Sequence, residues 1–241
     1  MGKYTVLPLL AFAALLAPAC GGHEEPVKAP DPVPTTTAHT QPKLNMTSEL
    51  GSIDDRAVQK TFERIAPAFE ACRKTAQKRL SFVAGDVAFF LRVGTDGKVK
   101  YSYFEQSTLG DYDAERCLLD VVDGTQWPVP DGGEAEVRYK GFGFDLDQNV
   151  RGPFDWNADK VAAAIGKHKE AFDKCTDGTG AARFTVTAYV EPAGKDGKVQ
   201  AAGVAVSTKE GAPKVKCVLD AVKGMKMPSP GSYAAKVTFA L

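Results

Sequence analysis

The chain has 241 residues, of which 44% are hydrophobic and 25% are charged, so its length suits one large or two small globular domains. Its 30 basic residues balance 30 acidic ones. Proteins that bind nucleic acid or an anionic membrane surface usually carry a basic excess, so the composition does not favour either kind of binding. Only three histidines occur, which leaves little material for histidine-dependent catalysis or a zinc site.

Residues 1–19 have the pattern of a secretory signal peptide. Lys3 gives a short basic start, an apolar run follows, and small residues precede Cys20. The segment Ala17-Pro18-Ala19-Cys20 resembles a bacterial lipobox, which implies that Cys20 is lipidated and becomes the first residue of the mature chain. By the same resemblance, Gly21 implies sorting to the outer membrane. Ordinary secretion with a free thiol at Cys20 is the alternative.

Residues 20–50 predict a disordered tether. The segment contains five prolines and a threonine run, and it lacks apolar periodicity. Such a composition buries too little apolar surface to offset the entropy lost on ordering. His23 and His39 both lie there, but we predict no metal site from them.

Residues 51–147 and 148–241 are predicted to be two copies of one unit. Asp96-Gly97-Lys98-Val99 recurs one hundred residues later as Asp196-Gly197-Lys198-Val199. Each copy begins with apolar residues at helical spacing, which predicts an amphipathic helix. The two faces are Val58, Phe62, Ile65, Phe69 and Cys72, and Val161, Ile165, His168, Phe172 and Cys175.

The helix starts are marked by predicted N-caps, Asp54 and Asn157, while Pro67 is expected to kink or divide the first helix. After this helix, each copy predicts a strand, a hairpin turn, a strand, a helix and a last strand. Gly97 and Gly197 are expected to supply the positive φ of the turns. The predicted fold class is α+β: two tandem α-β-β-α-β units, each a three-stranded antiparallel sheet packed by two helices.

One cysteine lies on each predicted helix of each copy: Cys72, Cys117, Cys175 and Cys217. Of the three ways to pair them, only Cys72–Cys117 and Cys175–Cys217 respect the duplication. An exported chain with small cores favours such disulfides. The alternatives are a metal site of all four cysteines or a catalytic thiol.

These features together resemble a known envelope domain. They are the helix cysteines, the Asp-Gly-Lys-Val turn, and Trp127-Pro128-Val129-Pro130 before a last strand. In these features the chain resembles the C-terminal domain of the AgmX/PglI gliding-motility proteins, which is itself similar to the TonB C-terminal fold. The resemblance covers residues 54–241 as two copies. It implies a TonB-like fold, periplasmic exposure and binding of envelope partners, including strand addition at a sheet edge. TonB's energy transduction needs an inner-membrane anchor and is not carried over.

The sequence predicts no catalytic, metal or cofactor site. Asp111, Asp113 and Glu115 stand at the start of a predicted helix, where acids complement the helix dipole. Asp145, Asp147 and Asn149 alternate as in a calcium loop but lack its glycine and distal glutamate. Ser107-Thr108 and Ser207-Thr208 have no base beside them and are expected to help turn the chain.

The aromatic residues of the second strand are the candidates for partner binding. Tyr101 and Tyr103 point to one face of that strand and Phe104 to the other. The two tyrosines form either a packing surface, within the sheet or between the copies, or an exposed recognition surface.

The sequence therefore predicts a lipid-anchored, non-enzymatic binding or scaffold protein of the cell envelope. It would face the periplasm from the outer membrane, with the cell surface as an alternative location, and serve a motility, secretion or transport machine. Its partners would be envelope proteins and, through the anchor, the membrane, but no nucleic acid. The alternative function is a periplasmic small-ligand carrier with a pocket between the copies.

Overall fold

The computed structural model of this chain describes residues 50–241, and the described chain has a mixed α+β structure. It contains one three-stranded and one five-stranded sheet. Several sequence predictions lie outside the described residues: the signal peptide 1–19, the lipidation site Cys20, His23, His39 and all of the tether 20–50 except Leu50.

The first half (residues 51–147) follows the predicted element order. Its elements are α1 (Asp55–Arg79), β1 (Gly85–Val93), β2 (Val99–Ser107), α2 (Tyr112–Asp123) and β3 (Ala135–Phe144). Helix α1 begins where predicted, because the Asp54 side chain accepts the Ala57 N–H at 2.8 Å. Pro67 does not divide α1. It lies on the exposed side of the helix, where water can bond the carbonyl that the proline leaves without a donor.

The three strands of the first half form one antiparallel sheet in the order β2-β1-β3. Gly97 has φ +74° in the β1–β2 turn, as predicted, and its N–H donates to the Gly94 carbonyl at 2.9 Å. A side chain at this position would also overlap the Gln126 amide. The turn therefore needs glycine both for its φ and for space.

The second half (residues 148–241) has more elements than predicted. They are β4 (Phe154–Trp156), α3 (Ala162–Lys167), α4 (Lys169–Thr176), β5 (Phe184–Ala193), β6 (Asp196–Val206), α5 (Val215–Lys223), β7 (Lys226–Pro228) and β8 (Ala235–Ala240). Their sheet has five strands, in the order β4-β8-β5-β6-β7, rather than the predicted three. The two extra strands are short and give partners to backbone groups along parts of β8 and β6.

The first helix predicted for the second half is also divided. A 3-10 turn at Ala158–Lys160 leads into α3, and α3 meets α4 at His168. Gly166, two residues before that junction, weakens a helix because it gains most conformational entropy on unfolding. The predicted buried face is largely kept, since Val161, Phe172 and Cys175 are buried.

The second hairpin turn is displaced from its predicted place. Ala193 pairs with Asp196, so the two-residue turn is Gly194-Lys195, and Gly194 has φ +68°. Gly197 instead lies within β6 opposite Met227, where a side chain would overlap the Pro228 carbonyl. The prediction of positive φ at Gly197 is therefore wrong, because β7 needs the close approach that Gly197 permits.

Two apolar cores interlock the halves. The first lies between the β2-β1-β3 sheet and helices α1 and α2, and it also takes Tyr189 and Ala205 from the second half. The second belongs to the five-stranded sheet and takes Phe90 and Tyr103 from the first half. Each core is thus completed by side chains of the other half.

Candidate functional site

The structure forms the two disulfides that the sequence predicts. Cys72 joins Cys117 and Cys175 joins Cys217, with Cα–Cα separations of 5.8 and 5.5 Å. Each bond ties two helices of one half together. A bonded cysteine supplies no thiolate, so these four residues provide neither the four-cysteine metal site nor the catalytic thiol that were the alternatives.

The remaining metal-like patterns have structural surroundings. Asp147 pairs with Arg73 at 3.1 Å, and the Asp145 carbonyl accepts the Gln77 amide at 3.0 Å. His168 places Nδ1 at 3.0 Å from the Ala164 carbonyl. Within residues 50–241, no three or more His, Cys, Asp and Glu side chains are grouped so that they could hold a metal ion.

Tyr101 and Tyr103, the candidate partner-binding residues, turn toward the second half. Tyr103 is 6% exposed and stacks on Phe90 with 4.7 Å between the ring centroids. Tyr101 is partly buried against the same core, while Phe104 points into the first core, as the strand alternation predicts. Of the two alternatives for this face, the structure shows packing between the halves at Tyr103 rather than an exposed recognition surface, because the second half covers this face of β2.

The outer edge of β3 is one of the two edges of the first sheet to which no described strand is paired. The Glu134 carbonyl accepts the Gly51 N–H there at 2.7 Å, and along a strand every second residue points its backbone groups to the same side. Glu136, Arg138 and Lys140 therefore point theirs outward. Within the described part of the chain, β3 pairs with β1 and with no other named strand.

A groove of about 310 Å³ runs beside this edge, between β3 and the start of α1. Its apolar lining is Ile53, Val58, Val137 and Tyr139. On the opposite face, Arg138 pairs with Glu105 and Glu136 at 3.0 Å each. The edge thus offers backbone hydrogen-bonding groups together with an apolar groove, the two features by which sheets accept an added strand.

A second concave site lies between the halves. This inter-half cleft has a volume of about 210 Å³. The first half lines it from β2 and α2, and the second half from β6, the 3-10 turn at Ala212–Lys214 and α5. The lining residues are Ser102, Tyr103, Phe104, Tyr112, Glu115, Arg116 and Leu119, with Val204, Val206, Ala212, Pro213, Val215 and Lys216.

Glu115 connects the halves at this cleft and is 2% exposed. Its Oε1 accepts the Ser107 hydroxyl at 2.5 Å, and its Oε2 accepts the Val204 N–H of β6 at 3.1 Å. Gly203 makes this approach feasible, because a side chain there would overlap the carboxylate. Glu115 therefore accepts a hydrogen bond from a backbone N–H of β6 that is not paired with another strand.

Burial changes the titration of Glu115. Desolvation raises the pKa of its carboxyl from 4.5 to about 7, although the hydrogen bonds from Ser107 and Val204 act in the opposite direction. Asp111, one turn earlier, accepts the Ala114 N–H at 3.0 Å and pairs with Arg79 at 2.8 Å. Asp111 thus serves as the cap of α2, whereas Glu115 does not act as a dipole-stabilising surface acid.

The sequence contains a signal for this role that the dipole interpretation misses. Glu115 precedes Leu118 by three and Val122 by seven residues, which places it on the apolar face of α2. Its counterpart one hundred residues later is Val215. A carboxylate where the repeat has valine indicates a buried position with a polar contact.

Comparison with protein-family models, with curated proteins and with solved structures finds no match to this chain. In the described residues, none of the helices has the length and apolar character needed to span a membrane.

Proposed function

We propose that this chain is an exported, lipid-anchored binding or scaffold protein of the cell envelope, a non-catalytic component or adaptor of a motility, secretion or transport machine. The observation that carries the proposal is the open outer edge of β3 beside its apolar groove. The signal-peptide and lipobox patterns of residues 1–20 support export and anchoring in the outer membrane.

The halves are further proposed to be tandem α-β-β-α-β units of the TonB-like fold found in the AgmX/PglI family. Both halves contain a helical segment, a hairpin, a second helix and a last strand in that order. In both, a disulfide joins the first helical segment to the helix after the hairpin. These shared features support a duplication, and the extra strands of the second half are its departures from it.

Strand addition supplies the binding mechanism. An extended partner segment pairs its backbone with the outward groups of Glu136, Arg138 and Lys140. Alternate side chains of that segment enter the groove beside Tyr139, because strand residues alternate between faces. The same open edge requires protection from self-association, and the charged side chains of Arg138 and Lys140 supply it.

The test is photo-crosslinking in intact envelopes of the native host. A photo-reactive residue replaces Lys140 at the β3 edge in the mature chain with Cys20 retained, and a control chain carries it at Lys195 in the β5–β6 turn. We expect specific envelope proteins to crosslink from position 140 and not from position 195. With the photo-reactive residue kept at position 140, Arg138→Pro should abolish their capture by removing an outward N–H, whereas Arg138→Ala should not. Equal capture by all chains would contradict the proposal.

A second candidate function is a small-ligand carrier, favoured by the inter-half cleft. The cleft combines aromatic and aliphatic walls with the buried Glu115 carboxylate, as ligand sites commonly do. Native mass spectrometry of the chain purified from its envelope tests this function. A bound small molecule that is lost when Val215→Trp fills the cleft supports it, and an unoccupied wild-type chain contradicts it.

A further inference from the structure

The Glu115 carboxylate is buried without a cationic partner. Among the ion pairs of residues 50–241, none includes Glu115. Basic residues of the two helices of this half are engaged elsewhere, since Arg79 of α1 pairs with Asp111 and Arg116 of α2 pairs with Asp120. A buried carboxylate normally has a cation beside it, because its lost hydration is otherwise uncompensated.

The carboxylate also keeps acceptor capacity. Its two oxygens offer about four lone-pair positions, of which Ser107 and Val204 occupy one each. Both of these donors are neutral, so they leave the negative charge unpaired. Burial accordingly raises the pKa of Glu115 to about 7, and a cation brought to this carboxylate would favour its charged form.

The cleft walls suit the apolar part of such a cation. Tyr103 and Tyr112 provide aromatic surface, and Leu119 and Val215 provide aliphatic surface. Aromatic faces attract cations, while an apolar surrounding strengthens an ion pair.

The basic residues at the rim of the cleft form ion pairs with acidic residues. Arg116 pairs with Asp120 at 2.6 Å and Lys216 pairs with Asp220 at 3.0 Å. These equivalent pairs, one on α2 and one on α5, largely cancel the positive charge that would repel a cation. An anionic ligand would have to displace Asp120 or Asp220 and then approach Glu115, so the charge pattern disfavours it.

We propose that the inter-half cleft binds a small organic amine, whose ammonium group pairs with the Glu115 carboxylate while its apolar body packs between Leu119 and Val215. This inference rests on the carrier function and is independent of binding at the β3 edge.

Three probes of equal chain length and different head groups test it: hexylamine, hexanol and hexanoate. Binding to the oxidised chain is measured by calorimetry and ligand-observed NMR at about pH 8, where the amine is protonated and Glu115 is ionised. We expect saturable hexylamine binding that is at least about tenfold tighter than hexanol binding, because only the amine adds a charge-assisted hydrogen bond. Hexanoate should not bind.

Matched variants locate the site. Glu115→Gln should weaken hexylamine binding about tenfold and leave hexanol binding unchanged, since glutamine keeps the shape without the charge. Glu63→Gln, an exposed control on α1, should change neither. Val215→Trp should abolish both by filling the cleft.

The outcomes separate the inference from the carrier function. Hexanol or hexanoate binding that equals or exceeds hexylamine binding, and that Val215→Trp removes, overturns the amine class and keeps the carrier function. Hexylamine binding that survives Glu115→Gln in full overturns the role of this carboxylate. If no probe binds, both the inference and the carrier function at this cleft are overturned.

Discussion

Replacing Glu115 by glutamine should change how the stability of the folded chain depends on pH. In the unfolded chain the carboxyl loses its proton near its ordinary pKa of 4.5, and in the folded chain burial raises that pKa to about 7. Between these values the folded state binds more protons than the unfolded state. The free energy of unfolding contributed by Glu115 therefore falls as the pH rises from 4.5 to 7, and it is constant above and below this window.

The magnitude follows from the size of the shift. Each pKa unit corresponds to about 1.4 kcal/mol, so the contribution of Glu115 should fall by about 3 kcal/mol across the window. Glutamine cannot titrate and retains both contacts: its carbonyl can accept the Val204 N–H, and its amide can donate to the Ser107 hydroxyl oxygen. Glu115→Gln should therefore become more stable relative to the wild type as the pH rises.

Urea unfolding of both chains, with the disulfides oxidised, measures this difference at several pH values from about 4 to 8. Other titrating groups cancel in the difference between two chains that differ at one residue. Glu63→Gln, on the exposed side of α1, is the control and should show a constant difference. A constant difference for Glu115→Gln would refute the burial of this carboxylate against β6.

Three further predictions concern contacts that stabilise the folded chain. Replacing Cys72 and Cys117 together by serine should lower the free energy of unfolding by about 2–4 kcal/mol, because their disulfide closes a 45-residue loop. Peptide mapping of the wild type without reductant should show the linkage between Cys72 and Cys117. A different cysteine pairing would contradict the structure. Tyr189→Phe should lower the free energy of unfolding, measured in urea, by about 1–3 kcal/mol. The Tyr189 hydroxyl accepts a hydrogen bond from the Ala84 N–H at 3.2 Å and donates one to the Ala84 carbonyl at 3.1 Å, just before β1. An unchanged midpoint would mean that these bonds are not formed. Gly203→Ala should lower the free energy of unfolding by about 1–3 kcal/mol, because the added methyl group overlaps the Glu115 carboxylate. Adding Glu115→Ala to the same chain should remove this overlap and its cost. If the effects of the two substitutions are simply additive, the two residues are not in contact.

The local elements of the first half follow closely from the sequence. The apolar face of α1, its Asp54 cap and the Gly97 turn depend on residues near one another in the chain, and all three are confirmed. The second half departs where local signals conflict. The Asp-Gly-Lys motif predicts a turn at Gly197, but Gly194 offers a two-residue turn, and pairing with β7 draws Gly197 into a strand.

The candidate site was much less accessible to sequence reasoning. Residue pairs such as Glu115 and Val204, or Tyr189 and Ala84, are 89 and 105 positions apart. No local pattern reports such a contact. The alternation of β2 correctly separates Tyr103 from Phe104, but it does not tell which face meets water and which meets the second half.

The sequence by itself determined the cysteine pairing, the α+β class and the order of elements in the first half, because repeat spacing and periodicity are visible along the chain without knowledge of what packs against each residue. Only the tertiary structure decided that Tyr103 is buried, that no strand of residues 50–241 pairs with the outer edge of β3, and that Glu115 lies in a cleft between the halves. Each of these depends on what packs against a residue from far along the chain. Burial, and with it the pKa of a carboxyl and the accessibility of a strand edge, is fixed by that packing rather than by local residue type.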